Sequence, residues 1–233
     1  DSMAVYREIG RQGGFTFWNH PNWIAQRRDG IAELTDLHKK LISENLLHGI
    51  EVVNEMTYSD EALQVALDNN LAIMGNSDIH GLVDWQFNIE EGGHRPITIV
   101  LAKEKTQASI KEALFARRTI AYFNNLLIGK SENLTPLLQA SLTIEKVEYQ
   151  GPSSVADVHI KNHSNAEFLL DNVSNYTFHA HADIVTIPPN STKKIQVKTK
   201  EQVAAFDLSF MVLNGIIAPN THPQLNLKVI VNQ

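Results

Sequence analysis

The sequence contains no cysteine. That absence excludes disulfide staples, zinc–thiolate sites and a cysteine nucleophile, so any metal must be held by histidine, aspartate and glutamate. The chain also lacks a block of basic residues. Its 20 Lys and Arg against 26 Asp and Glu give a formal net charge of -6, and no stretch could neutralise a run of phosphates, so no nucleic-acid-binding patch is expected. Long apolar runs are missing too, none approaching the ~20 residues of a membrane span. The opening residues Asp1-Ser2-Met3-Ala4 carry neither the basic nor the apolar region of a signal peptide, so any export signal is expected upstream. There is no low-complexity tract and no internal repeat. What is plentiful is apolar side chain. At 43% hydrophobic over 233 residues, the chain can bury the core of one large or two modest domains.

Two kinds of periodicity divide the chain. Up to about residue 130, short β-branched apolar runs alternate with stretches of helical period, which predicts an α/β domain over 1–130. Expected strands are Phe15 to His20, Gly49 to Asn54, Leu71 to Asp78 and Ile97 to Ala102, parallel to one another, with helices near 32–45, 60–69 and 107–116. Thr106 is suited to cap the last of these helices. From about Leu142 the helical period disappears, and turn residues at Gly151-Pro152, Pro188-Pro189-Asn190 and Asn214-Gly215 punctuate short alternating strands. Residues 142–233 are therefore expected to form an immunoglobulin-like β-sandwich, with 124–141 as the junction.

Ionisable residues collect at two strand ends. The run Phe15-Thr16-Phe17-Trp18-Asn19-His20-Pro21 ends in a histidine, with proline fixing the exit of the chain. In Gly75-Asn76-Ser77-Asp78-Ile79-His80, the spacing of Asp78 and His80 puts both side chains on one face of extended backbone. Sites on parallel α/β folds form at the C-terminal strand ends, so His20, Asp78 and His80 are expected to converge there as metal ligands. His48 precedes the Gly49 strand and belongs at the opposite end.

At these residues the sequence resembles the PHP (polymerase and histidinol phosphatase) family. Asp78-Ile79-His80 is similar to the family's last motif and His20-Pro21 to an earlier one, and Gly49-Ile50-Glu51-Val52-Val53-Asn54 resembles the strand between them. The resemblance covers roughly 10 to 125. It implies part of a distorted β/α barrel, followed by the sandwich, and a cluster of two or three divalent ions (Zn, Mn or Fe) in the complete protein. The implied reaction is hydrolysis of a small-molecule or polymeric phosphate ester by a metal-activated water. In it Asp78 is both ligand and catalytic residue, and His20 and His80 are neutral ligands. Glu51 points either inward, as a partner that orients ligands together with Asn54, or outward to solvent. His94 and Arg95, in the loop after the Asp-x-His, are the substrate-binding candidates. The family's opening His-x-His and further ligands do not precede His20, so the N-terminal half of the barrel is expected to lie outside these residues and to complete the cluster. An amidohydrolase-type metallohydrolase and a non-catalytic PHP-like scaffold are the alternative readings.

Other candidates have ordinary explanations. His38 sits beside Lys39 and Lys40 and is expected at the surface, and Arg117-Arg118 close a helix where cations favour its dipole. His179 and His181 share a strand face without a third ligand nearby. Trp18, Trp23 and Trp85 lie close to the motifs and are candidate walls of a pocket. Asn-x-Ser/Thr triplets begin at Asn133, Asn162, Asn172, Asn175 and Asn190, a frequency that turn-rich β domains produce by themselves. A bacterial periplasmic or extracellular location would suit this domain combination.

Overall fold

The computed structural model describes residues 2–231, in two compact units. One runs to Asn133 and includes Ile217–Thr221, and the other comprises Leu134–Ile216 and the chain from His222. The elements in chain order begin with α1 (Ser2–Arg11), β1 (Phe17–Trp18), α2 (Asp36–Ser43), β2 (Gly49–Asn54), β3 (Thr57–Tyr58), α3 (Asp60–Asp68) and β4 (Ala72–Asn76). They continue with α4 (Val83–Gln86), β5 (Ile97–Val100), α5 (Gln107–Phe115), β6 (Thr119–Phe123), β7 (Leu126–Gly129) and α6 (Ser131–Ser141).

In the first unit β1, β2 and β4 run parallel with β2 in the middle, and β3 folds back antiparallel on β2. The β-branched run of β2 places Ile50, Val52 and Val53 in the core, against Leu63 and Ala66 of α3 and Ile73 of β4, all essentially without solvent exposure. Helix starts follow local chemistry. Ser59 accepts from Ala62 N and caps α3, and Thr106 accepts from Ser109 N and caps α5 as its sequence predicts.

The expectation of four parallel strands requires correction. β5 pairs antiparallel with β6, which pairs antiparallel with β7. The β6–β7 turn is Asn124-Asn125, with both residues at positive φ, as a two-residue hairpin requires. The stretch 124–141 thus holds this turn, β7 and α6. Where a ladder from β4 to β5 would be expected, one side chain makes the connection: Gly75 N donates to Thr98 Oγ1 at 2.9 Å, and Thr98 Oγ1 donates to Gly75 O at 2.9 Å. Gly75 is needed at this crossing, because a Cβ there would stand 3.0 Å from that of Ala121 and 3.2 Å from Ile97 O.

His48 lies at the N-terminal end of β2, buried between Phe15 and Phe115 with ring centroids 5.4 and 4.7 Å away. Its Nδ1 accepts from Thr16 N at 3.1 Å. Burial, reinforced by the charge of Arg117, pushes its pKa down. The folded protein therefore holds His48 neutral, and its contribution to stability is complete above the ordinary histidine value of about 6.5 and lost as pH falls from there through the depressed folded value. Thermal midpoints should drop as pH is lowered from 7 toward 5, and less so in His48→Gln. Equal slopes in the two proteins would remove His48 from the account.

The second unit continues with β8 (Leu142–Tyr149), β9 (Val155–Asn162), β10 (Phe168–Asn172), β11 (Thr177–Phe178), β12 (Ile184–Ile187) and β13 (Thr192–Lys198). It ends with β14 (Ala205–Val212), β15 (Gly215–Ile216) and β16 (Gln224–Ile230). Two antiparallel sheets, ordered β11-β13-β9-β8 and β12-β10-β14-β16, bury alternate residues. Phe178 of one sheet meets Phe210 of the other at 6.5 Å. This is the β-sandwich expected from the alternating pattern.

One turn is built twice in this unit. In Asn162-His163-Ser164-Asn165-Ala166, Asn162 Nδ2 donates to Ala166 O at 2.8 Å while Ser164 N and Oγ donate to Asn162 Oδ1 at 2.9 and 2.8 Å. In Asn172-Val173-Ser174-Asn175-Tyr176 the same bonds recur, Asn172 Nδ2 to Tyr176 O at 2.8 Å and Ser174 Oγ to Asn172 Oδ1 at 2.6 Å. These triplets are hydrogen-bonded turns. Asn162 is fully buried and also donates to Pro188 O at 3.0 Å. Asn162→Ala should cost about 3 kcal/mol, because the bond it removes from Ala166 O is buried, whereas Asn172→Ala, half-exposed, should cost about 1 kcal/mol. Urea unfolding measures both, and a reversed order would contradict this reading.

Candidate functional site

Because β1, β2 and β4 are parallel, their C-terminal ends share one edge, and the chain places His20, Asn54, Asn76, Asp78 and His80 at or just beyond it. Two of these residues hold unusual backbone. His20 has φ 34° and Asp78 φ 45°, the left-handed region that non-glycine residues enter at a cost. A residue before proline is normally extended, so His20 needs support. Its N–H donates to Glu51 Oε2, its carbonyl accepts from Trp23 N at 3.1 Å, and its ring Nδ1 lies 3.1 Å from Gln26 Nε2.

Glu51 is the hub of this edge. The residue is only 3% exposed. Besides His20 N it accepts from Asn54 Nδ2 at 3.0 Å and Asn76 Nδ2 at 2.6 Å. Simple alternation puts Glu51 and Asn54 on opposite faces of β2, and a bulge resolves the conflict. The β2–β4 register shifts between Glu51 and Val53, so that Glu51 stands beside Met74 and Asn54 beside Asn76, which share one face of β4. Glu51 therefore points inward. Asn76, which the sequence motif contains without marking it as functional, is the partner that reasoning from the sequence missed. Its one signal was its place two residues before Asp78.

Asp78 and Arg95 line one cavity of about 560 Å³ with Asn76, Ile97 and Thr98. His80 is exposed and its Nδ1 lies 2.6 Å from Asp78 O. The three expected ligands occupy the same edge, yet among the described residues no three His, Asp or Glu side chains gather into a group able to hold a metal ion. Geometry gives the reason. β2 lies between β1 and β4, and two strand spacings of about 4.8 Å keep His20 well apart from Asp78 and His80, against ligand bonds of about 2 Å. The donor chemistry suits a divalent ion, and the spacing leaves part of its shell to other donors.

His94 stacks on Tyr122 with ring centroids 4.3 Å apart. Its Nε2 accepts from Asn125 N at 3.3 Å, leaving Nδ1 to donate to Arg95 O at 3.1 Å. Both nitrogens are thus committed to holding the loop, and Arg95, exposed and lining two adjoining cavities, is the member of the pair that presents charge. His38 departs from the free surface position expected of it. It completes the capping box of α2 with Thr35 and stacks on Trp18 at 4.0 Å, and burial pushes its pKa down. Trp18 is thereby committed to packing, while Trp23 and Trp85 remain more than half exposed. Arg118 pairs with Glu112, and Arg117 Nη1 donates to Phe115 O at 3.1 Å.

Residues 142–228 match an Ig-like domain family. The Ig-like domain accounts for the second unit. The chain is also similar, over 98% of its length, to the crystal structure of a two-domain protein from Bacteroides vulgatus containing a predicted PHP-like metal-dependent phosphoesterase, with 33% identity and a TM-score of 0.88. It spans 66% of that protein's length. No curated protein matches the sequence. None of the described helices is long and apolar enough to cross a membrane.

Proposed function

We propose that the unit preceding the Ig-like domain contributes to a metal-dependent phosphoesterase centre in which His20, Asp78 and His80 are ligands. The observation that carries this reading is the shared strand edge, where His20 and Asp78 are held in left-handed backbone around the buried Glu51 carboxylate. The 33% identity to a protein containing a predicted PHP-like phosphoesterase supports it. A divalent ion, when bound, supplies Lewis acidity that lowers the pKa of water and screens the charge of a phosphate. The chain's own residues do the rest. His80 leaves its Nε2 lone pair available, because Nδ1 donates to Asp78 O, whereas His20, whose Nδ1 accepts from the Gln26 amide, would ligate through Nδ1 in place of that amide. Glu51 fixes the backbone of His20 and the amides of Asn54 and Asn76, so the edge is ordered before a ligand arrives. Arg95 faces the cavity that Asp78 lines and would neutralise phosphate oxygens, with His94 positioning its loop.

The full protein should hydrolyse generic phosphate mono- or diesters with added manganese and lose that activity on chelation. Cleavage of amides with no action on phosphate esters would favour an amidohydrolase-type enzyme. Inertness toward both, with manganese bound, would favour a scaffold.

A further inference from the structure

We propose that the Ig-like unit carries a second site, a binding groove for an anionic saccharide on the outer face of its β11-β13-β9 sheet. The groove, about 430 Å³, is lined by Ser154, Val155, Asn175, Thr177, His179, Lys198 and Lys200. Register explains how they meet. Lys198 pairs with Val155 on one side and Thr177 on the other, so the three side chains form a row across three strands on one face. Asn175 and His179 flank Thr177 at the end of the row.

The two lysines are aimed by a fixed backbone. Thr199 between them is buried, and its N and Oγ1 both donate to Ser154 O at 3.0 Å. With Thr199 turned inward, Lys198 and Lys200 both face out, and Lys200 sits at φ 68° in a bend. Neither lysine has an ion-pair partner among the described residues. On the same sheet, by contrast, Lys194 pairs with Asp157 at 3.3 Å and Lys146 with Glu148 at 2.8 Å. No carboxylate lines the groove.

The ligand class follows from this lining. Two unpaired ammonium groups call for an anion. The hydroxyls of Ser154 and Thr177 and the amide of Asn175 both donate and accept, and with the imidazole of His179 they suit the hydroxyl-rich ring of a sugar. The aliphatic side chain of Val155 and the stem of Lys198 provide an apolar floor for the ring's C–H face. The row lies on the sheet face, where side chains and not free strand-edge amides do the recognition, and this disfavours an extended acidic peptide added as a strand. A carboxylate-bearing and a sulfate-bearing sugar share this chemistry.

Calorimetric titration of the whole chain tests the idea with four probes: trigalacturonate, a sulfated carrageenan oligosaccharide, neutral maltotriose and poly-glutamate. Either anionic saccharide should bind, and the better one identifies the anion. Binding should weaken with added salt and fall by about tenfold in Lys198→Ala and in Lys200→Gly. Glycine suits the positive φ, so the second variant leaves the turn unstrained. Lys146→Ala on the same sheet should bind normally. Thermal midpoints unchanged from wild type would show that the variants are folded. The proposal is overturned by no binding of either anionic saccharide, by equal binding of maltotriose, by tighter binding of poly-glutamate, or by an equal loss in Lys146→Ala.

Discussion

Asp78→Ala is expected to reduce metal-dependent phosphoesterase activity of the full protein to background and to lower its bound manganese, while the fold survives. The Asp78 side chain faces a cavity, and the contact its residue makes with His80 comes from its main-chain oxygen, so removing the carboxylate breaks no fold-supporting bond. Alanine does bring a complication. At φ 45° it tolerates the left-handed backbone less well than aspartate and should cost about 1 kcal/mol. Asp78→Asn separates the two effects, since asparagine accepts this backbone and keeps the shape while losing the charge. Both variants should be inactive, and only the alanine variant should show a lowered midpoint. Elemental analysis finding as much metal in Asp78→Asn as in wild type, with activity intact, would end the assignment of Asp78 as a ligand.

Glu51→Ala should be the most damaging single change in the first unit. It strands three donors, the His20 N–H and the amides of Asn54 and Asn76, beneath a surface that admits little water. A buried carboxylate with this many bonds is worth about 3–5 kcal/mol when deleted alone. His20 would also lose the bond that holds it in left-handed backbone before Pro21. Glu51→Gln keeps one acceptor oxygen but turns an NH2 toward groups that are themselves donors, and should be intermediate in stability. Activity in Glu51→Gln should fall by about 10- to 100-fold through His20, as when a group supporting a metal ligand is lost. Thermal unfolding and manganese titration read the two effects. A midpoint for Glu51→Ala within a degree of wild type would show that the carboxylate is not the hub described here.

What could be read from the sequence was whatever depends on neighbours in the chain. Gly49–Asn54 forms β2 over the expected residues because its β-branched Ile50, Val52 and Val53 favour a buried strand. Thr106 caps its helix, and His48 sits at the far end from the candidate site. What escaped depends on partners distant in sequence. The direction of β5 is decided by β6, which begins about twenty residues later, and the hairpin turn at Asn124-Asn125 reads in sequence like part of a junction. The bulge after Glu51 is invisible to alternation, yet it alone brings Glu51 and Asn54 to one face. The spacing of His20 from Asp78 needed the strand order, which no motif carries. The doubled turn of the Ig-like domain was present as two Asn-x-Ser-Asn strings and became a repeat only through its hydrogen bonds.

Thr98 joins β4 and β5 by a single hydroxyl, and this bears on how wide the groove can be. Asp78 follows β4 and Arg95 precedes β5, so the two banks of the cavity belong to elements that no backbone ladder ties together. A ladder resists shear because several bonds must break at once. Here both bonds turn on one threonine side chain, beside the close packing of Gly75 against Ala121 and Ile97. The separation of the acidic and the basic bank is therefore set by side-chain packing and by the two hydrogen bonds of one threonine, not by a ladder.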